Sequence, residues 1–238
     1  MNLKKTTKIY EGKAKIIYQT DNKDYLIQYF KDDATAFNAQ KKSSINNKGV
    51  LNNKISEILM KHIASKSEIA CHFVERIDDR HQIIKKLNII SLEIIIRNYS
   101  AGSIAKRLGI DEGVKFDNAI FEICYKNDTL NDPIINDDHA VKILKILSQK
   151  DLELIKEYSY QINDILTKIF SSINIKLIDF KIEFGRDKNN IITLADEISP
   201  DSCRLWDVKT NQKLDKDIFR RDLGDLASAY EEVLKRLS

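Results

Sequence analysis

The run Ile178-Asp179-Phe180-Lys181-Ile182-Glu183-Phe184 alternates apolar and charged residues without a break. Alternate side chains of a strand face opposite sides, with about 7 Å between neighbours on one face. The spacing therefore predicts a core face of Ile178, Phe180, Ile182 and Phe184, and a second face of Asp179, Lys181 and Glu183. An outer face washed by solvent would show the same alternation. The residues C-terminal to this run favour chemistry. The next strand-like run ends in Ala195-Asp196-Glu197, and Ser199-Pro200-Asp201 comes after it. A hairpin can bring Asp196 to the Glu183 face, although the register is open in the sequence. Two carboxylates beside a lysine suit Mg²⁺ and a polyphosphate, because Mg²⁺ takes one or two carboxylates and fills its shell with phosphate oxygens and water. Cation and lysine together would spread the charge that develops in phosphoryl transfer.

Two further segments point to phosphate. In IIIRNYSAGSIAKRLG (94–109) a strand ends near Arg97, and Ala101-Gly102-Ser103 opens a helix. Gly102 allows close approach, Ser103 adds a hydroxyl, and Arg97 can clamp an anion with two parallel N–H groups. An ordinary serine-capped helix beside a solvent-facing arginine would read the same way. Near the N-terminus, Glu11-Gly12-Lys13-Ala14-Lys15 looks like a turn between strands that puts Lys13 and Lys15 on one face. A flap holding nucleotide phosphates and a lysine-bearing edge hairpin both fit, and the GxxxxGK[ST] spacing is absent.

Taken together, YEGKAK (10–15), FKDDATAFN (30–38), KGVLNN (48–53), RNYSAGSIAKRLG (97–109), KNDTLNDP (126–133), LIDFKIEFG (177–185) and ADEISPDSCRLWD (195–207) resemble the SAICAR synthetases of purine biosynthesis, in family order and over about the whole chain. The resemblance implies an α+β, two-lobed fold similar to ATP-grasp enzymes, with antiparallel sheets and a nucleotide cleft. It implies a nucleotide lobe over 1–87 and an α+β lobe over 88–238. It implies an ATP-dependent ligase joining carboxyaminoimidazole ribonucleotide (CAIR) to L-aspartate, with Mg²⁺, and it leads us to expect a homodimer. Matched to the family motifs, Lys13, Lys15, Lys86 and Lys126 are expected at ATP, and Glu183 and Asp196 at magnesium. Arg97, Gly102, Ser103 and Arg204 are expected at the CAIR phosphate, and Lys181 and Asp179 beside its base and ribose. The FKDDATAFN stretch and SPDS, with Asp201, are expected to serve aspartate or a mobile loop. Ala39 and Ser43 replace glycines common in relatives, and Asn46 and Asn47 lengthen the approach to the Lys48-Gly49 turn.

The elements that must position these residues are legible in outline. Strands are predicted at 8–10, 14–19, 25–30, 72–76, 81–87, 92–99, 115–126, 176–185 and 190–199. Helices are predicted at 50–65, after Gly102 as far as Gly109, at 151–170 with a Ser148–Asp151 cap, and at 215–222 and 225–237. The stretches 31–49 and 127–139 read as polar loops. Seven glycines and two prolines among 238 residues leave few places where a ligand can approach the backbone. A net charge of +3, with 36 acids against 39 bases, gives no basic stripe and no need for nucleic acid. Three widely spaced cysteines argue against a disulfide framework or a zinc site, and Cys203 reads as a packing residue. The most apolar run, 87–96, is broken by Glu93 and too short for a membrane span. These features indicate a reducing, cytoplasmic setting. The four histidines read as structural or surface residues, and Trp206 as a packing anchor near the site. A small-molecule kinase, which would make a phosphorylated product without aspartate, is the main rival.

Overall fold

The computed structural model describes residues 1, 3–36 and 41–238. Part of the FKDDATAFN motif, with Phe37 and Asn38, and the Ala39 position lie outside the described residues. In chain order the elements are β1 (Lys5–Glu11), β2 (Lys15–Thr20), β3 (Tyr25–Phe30), β4 (Asp33–Ala36), β5 (Lys41–Ser44), α1 (Lys48–Lys66), β6 (Phe73–Arg76) and β7 (His81–Lys85). They continue with β8 (Asn88–Tyr99), α2 (Ser103–Leu108), β9 (Lys115–Tyr125), β10 (Ile134–Ile135), α3 (Gln149–Ser172), β11 (Ile175–Arg186), β12 (Ile192–Ala195), β13 (Cys203–Asp207), α4 (Asp217–Arg221) and α5 (Leu226–Leu237). The first sheet has the order β1-β2-β3-β7-β6 and the second the order β10-β9-β8-β11-β12, with β13 also on β11. Every pairing within them is antiparallel.

The expected α+β class with antiparallel sheets is what the chain adopts. Three of its strand pairs were not legible, the shortest being β10 on β9, with Ile134 opposite Cys124 inside a stretch that reads as a polar loop. The stretch 31–49 contains a hairpin, with Asp33 opposite Ser44 and Ala36 opposite Lys41. Its polar sequence has no strand alternation to announce it. Cys203–Asp207 is a strand because it borrows the far half of β11, with Phe180 opposite Cys203 and Ile175 opposite Asp207.

The core lies between the second sheet and a layer of helices. α3 starts on the expected reciprocal cap, in which Ser148 accepts from the Asp151 N–H and Asp151 accepts from the Ser148 N–H. It then buries Leu152, Ile155, Ile162, Leu166 and Ile169. α1 belongs to the first 87 residues but rests on α3 and α5, and Ile55, Leu59 and Ile63 join the same core as Phe180, Ile182 and Phe184. Ile178 does not share their face as the alternation predicts. The β11–β13 ladder is irregular between Leu177 and Asp179, so Leu177 joins the main core while Ile178 packs with Ala101 and Trp206. A bulge of this kind shifts the side-chain parity of everything beyond it.

α1 begins with Lys48, whose ammonium is fully buried at the positive end of a helix. That placement is unfavourable in isolation. Asp201 supplies the counter-charge, and Tyr230 of α5 donates to the same carboxylate at 2.6 Å. The attraction of Lys216 and Lys48 outweighs burial and holds the Asp201 carboxyl below its usual range. Asp201 thereby ties α1, α5 and the Ser199–Asp201 turn together. Lys48→Met is expected to lower stability by about 3 kcal/mol in urea unfolding, because it strands a buried carboxylate. The double variant with Asp201→Asn should recover part of that loss.

Candidate active site

β11 carries the site, and two of its neighbour strands, β8 and β13, bring charges to it. Asp179 stands opposite Arg97 of β8 and Arg204 of β13, and its Oδ2 accepts from both guanidiniums at 2.8 Å. Arg97 is buried; it also donates to Glu122 at 2.6 Å and to the Ser103 hydroxyl at 3.0 Å. Arg204 donates to Asp217 at 3.0 Å. Burial opposes its charge, but Asp179 and Asp217 prevail and raise its pKa. Asp217 is shared with Arg220 at 2.5 Å and Arg221 at 3.5 Å, so α4 supplies the brace behind Arg204.

The loop before α2 closes over these arginines. Gly102 has φ 58° and ψ −122°. A Cβ there would collide with the Arg204 guanidinium. The position therefore requires glycine both for its backbone and for its neighbour. The Gly102 N–H donates at 3.0 Å to Glu112, which Arg221 grips with two N–H groups. That grip brings the Glu112 pKa down to about 2. Arg97, Gly102, Ser103 and Arg204 thus meet in one place.

The second cluster lies farther along β11. Glu183 faces Glu93 across the ladder, and Lys181 reaches diagonally to Glu93. Lys126 donates to both Glu183 oxygens at 2.6 Å. Burial works against the Glu183 charge, but Lys181, Lys126 and Lys15 outweigh it and its pKa is lowered. For Lys181, burial is likewise outweighed by Glu93 and Glu183, so its pKa is raised and it is a fixed cation.

Asp196 arrives by a route that alternation does not describe. Glu183 is opposite Ala195, and β12 ends there. Asp196 then takes φ 65°, in the left-handed region. Its carboxylate and that of Glu197 both meet the Lys15 ammonium, which enters from β2. Glu197 is buried, and Lys15 overcomes the burial to lower its pKa. Lys13 is exposed and reaches Asp128, beyond β9, at 3.6 Å. Lys86 is exposed just past β7, with its N–H donating to the Asp24 carbonyl. Glu93, Glu122, Glu197, Asp217 and Glu112 were not singled out by the sequence. Glu93 left the clearest mark, as the one charge in an apolar run.

Cys203 is buried, which pushes its thiol pKa up and suits a packing role. Trp206 packs on Ala101 and Ile178 beside the arginine cluster, with the Lys213 ammonium 3.3 Å from its ring centroid. Among the described residues no helix is long and apolar enough to cross a membrane.

The two antiparallel sheets meet at a band of lysines, arginines and carboxylates, and the chain's relatives make it one of the ATP-dependent ligases. The chain belongs to the SAICAR synthetase family, whose profile matches residues 8–237. It is 54% identical over 236 residues to the phosphoribosylaminoimidazole-succinocarboxamide synthase of Clostridium kluyveri, covering 99% of each chain. The crystal structure of the Ehrlichia chaffeensis synthase superposes with a TM-score of 0.95 at 47% identity, covering 97% of this chain and 98% of that one. A SAICAR synthetase solved in complex with ADP gives 0.92 at 46% identity, covering 96% and 97%.

Gly102→Ala is expected to raise the Michaelis constant for the phosphate-bearing substrate at least about tenfold by displacing Arg204, with nucleotide affinity unchanged. Steady-state kinetics against each substrate will separate the two. Asp215 accepts from the N–H groups of Leu205 and Asp217, and burial, with Asp217 nearby, pushes its pKa from 3.8 to about 7. The folded state therefore holds a proton there that the unfolded chain has released. That contribution to stability is present below the unfolded pKa and is lost as pH rises to about 7. Melting curves of Asp215→Asn should show a flatter pH dependence across this window.

Proposed function

We propose that the chain joins the carboxylate of CAIR to the amine of L-aspartate, converting ATP to ADP and phosphate and releasing SAICAR. The observation that carries this reading is that one strand, β11, brings an arginine-lined anion pocket and a lysine–carboxylate cluster side by side. The first suits the ribose phosphate of CAIR and the second the polyphosphate of ATP. CAIR is then held between them, with its carboxylate toward Lys181 and the nucleotide.

In this reading a CAIR carboxylate oxygen attacks the γ-phosphorus and the bond to the β-phosphate bridging oxygen breaks, releasing ADP. The aspartate amine attacks the carbonyl of the acyl phosphate, phosphate departs, and the nitrogen loses a proton. Lys15 and Lys126 turn from their carboxylates to the phosphates, with Lys13 following from the β1–β2 turn. Lys181, held charged by Glu93, stabilises the negative charge that builds on the CAIR carboxylate oxygens. Arg97, Ser103, Gly102 and Arg204 grip the phosphate at the far end and fix the distance between reacting atoms. Asp179 keeps the two arginines aligned and is expected beside the ribose.

Glu183 and Asp196 are the residues that would hold Mg²⁺. They offer only carboxylate oxygen, the donor a hard cation prefers, and Lys126 and Lys15 show that both sites already attract positive charge. Bound there, Mg²⁺ would neutralise charge on the transferring phosphoryl group. Lys86 is expected at the nucleotide and Asp201 at the aspartate side through the turn it braces. Residues 1–87 are assigned as the nucleotide lobe and 88–238 as the α+β lobe. A homodimer and a cytoplasmic setting complete the reading.

ADP release with ATP, Mg²⁺ and CAIR, measured with and without aspartate, tests the reaction. Strict dependence on aspartate is expected; rapid release without it, with a stable phosphorylated product, would mean a kinase. Glu183→Gln should lower turnover about 100-fold and abolish the magnesium dependence of ADP binding.

A further inference from the structure

His72 is buried between the two sheets, and three of its polar groups connect them. Its N–H donates to the Leu194 carbonyl of β12 at 2.9 Å, and its carbonyl accepts from the Lys85 N–H of β7 at 2.7 Å. Residue 71 forms a parallel bridge to the same Leu194. The imidazole Nε2 lies 2.8 Å from the carbonyl oxygen of Asp196. A carbonyl can only accept, so Nε2 carries the proton and donates. His72 therefore fastens the peptide that follows the left-handed Asp196. That peptide joins two residues whose carboxylates both point at Lys15.

The left-handed conformation at Asp196 has a cost for any residue with a Cβ, and here β12 has ended and the sheet ladder no longer supports it. A hydrogen bond to the Asp196 carbonyl restrains the rotation of its peptide, and with it the direction in which the Cα–Cβ bond of Asp196 leaves the backbone. The bond is neutral, so it persists when Lys15 exchanges its carboxylates for phosphate.

We propose that His72 is a positioning residue for the reaction, holding Asp196 in the left-handed turn that aims its carboxylate at the cation carried by the nucleotide. The proposal rests on the assignment of Asp196 to that cation. Residues that orient a metal ligand typically change metal affinity about 10- to 100-fold when altered. The variants are His72→Phe, which keeps a planar ring and removes the donor, and His72→Gln, which keeps an N–H at similar reach. His72→Met replaces the phenylalanine variant if the larger ring prevents folding. Asp196→Asn serves as the control for the assignment itself.

The measurement is Mn²⁺ binding to the full-length protein saturated with ADP, followed by electron paramagnetic resonance, alongside the melting temperature and metal-free ADP affinity. His72→Phe should weaken Mn²⁺ about tenfold and leave metal-free ADP binding unchanged, while His72→Gln stays within about threefold of the parent. Unaltered Mn²⁺ binding in His72→Phe would overturn the proposal. So would equal weakening in both His72 variants in step with equal losses of melting temperature, since that pattern marks a purely structural role. If Asp196→Asn also binds Mn²⁺ normally, the cation assignment fails and takes the proposal with it. That result is distinct from a failure confined to His72.

Discussion

A charge buried in a strand must be neutralised by its neighbours, and β11 carries several. Asp179 and Glu183 are buried, and Lys181 has only a third of its side chain in solvent. An unpaired ion in such a place costs several kcal/mol by order of magnitude. The neighbouring strands therefore had to supply Arg97, Glu93, Arg204 and, one strand farther away, Glu122. Pairing at this density leaves most side chains one favoured direction, and those directions converge on the two pockets. The rigidity of the site is in this sense a by-product of the cost of burying charge.

The same constraint explains why stability and chemistry are hard to separate here. Asp217 braces Arg204, yet Asp217 is itself in place because Arg220 and Arg221 of α4 share it. α4 in turn receives Lys41 of the β4–β5 hairpin, whose ammonium donates to the Phe219 carbonyl and to Asp222 at 2.6 Å. A contact at the edge of the molecule thus leads through a short helix to the guanidinium under Gly102. Substitutions along such a chain are expected to act together, because each removes support from the next.

The sequence announced what depends on periodicity. The β11 alternation, the α3 stripe with its Ser148 cap and the hairpin-forming N-terminal strands are all consequences of local pattern. It was silent where long-range pairing decides. β13 is a strand because β11 lies beside it, and β4–β5 is a hairpin whose polar residues carry no periodic signal. The Leu177–Asp179 bulge moved Ile178 to a different cluster, a shift of one residue that alternation cannot foresee. The site shows the same division. Residues that belong to strong family motifs, such as Arg97, Lys181 and Arg204, were found with their neighbours. Asp179 and Glu183 lay in the same strand motif, but the other counter-ions, Glu93, Glu122 and Asp217, were not found, since any acid in the chain could have filled those places. Lys48 lay in a motif, but nothing local says that its ammonium is buried against Asp201.

Among the described residues, four side chains of the first sheet, or of the segments beside it, tie it to the site. Lys15 reaches Asp196 and Glu197, Lys13 reaches Asp128, Lys48 reaches Asp201, and His72 reaches the Asp196 carbonyl. Three of these four are ionic, and two of the three involve lysines that a polyphosphate would attract away. The Lys48 pair is sealed from solvent and the His72 bond carries no charge, so neither competes for phosphate. Anion binding can therefore rearrange Lys13 and Lys15 without releasing one sheet from the other. In the proposed reaction, where Lys15 exchanges its carboxylates for phosphate, the geometry is kept by cross-links for which phosphate does not compete, and the His72 bond and the sealed Lys48 pair are two of these.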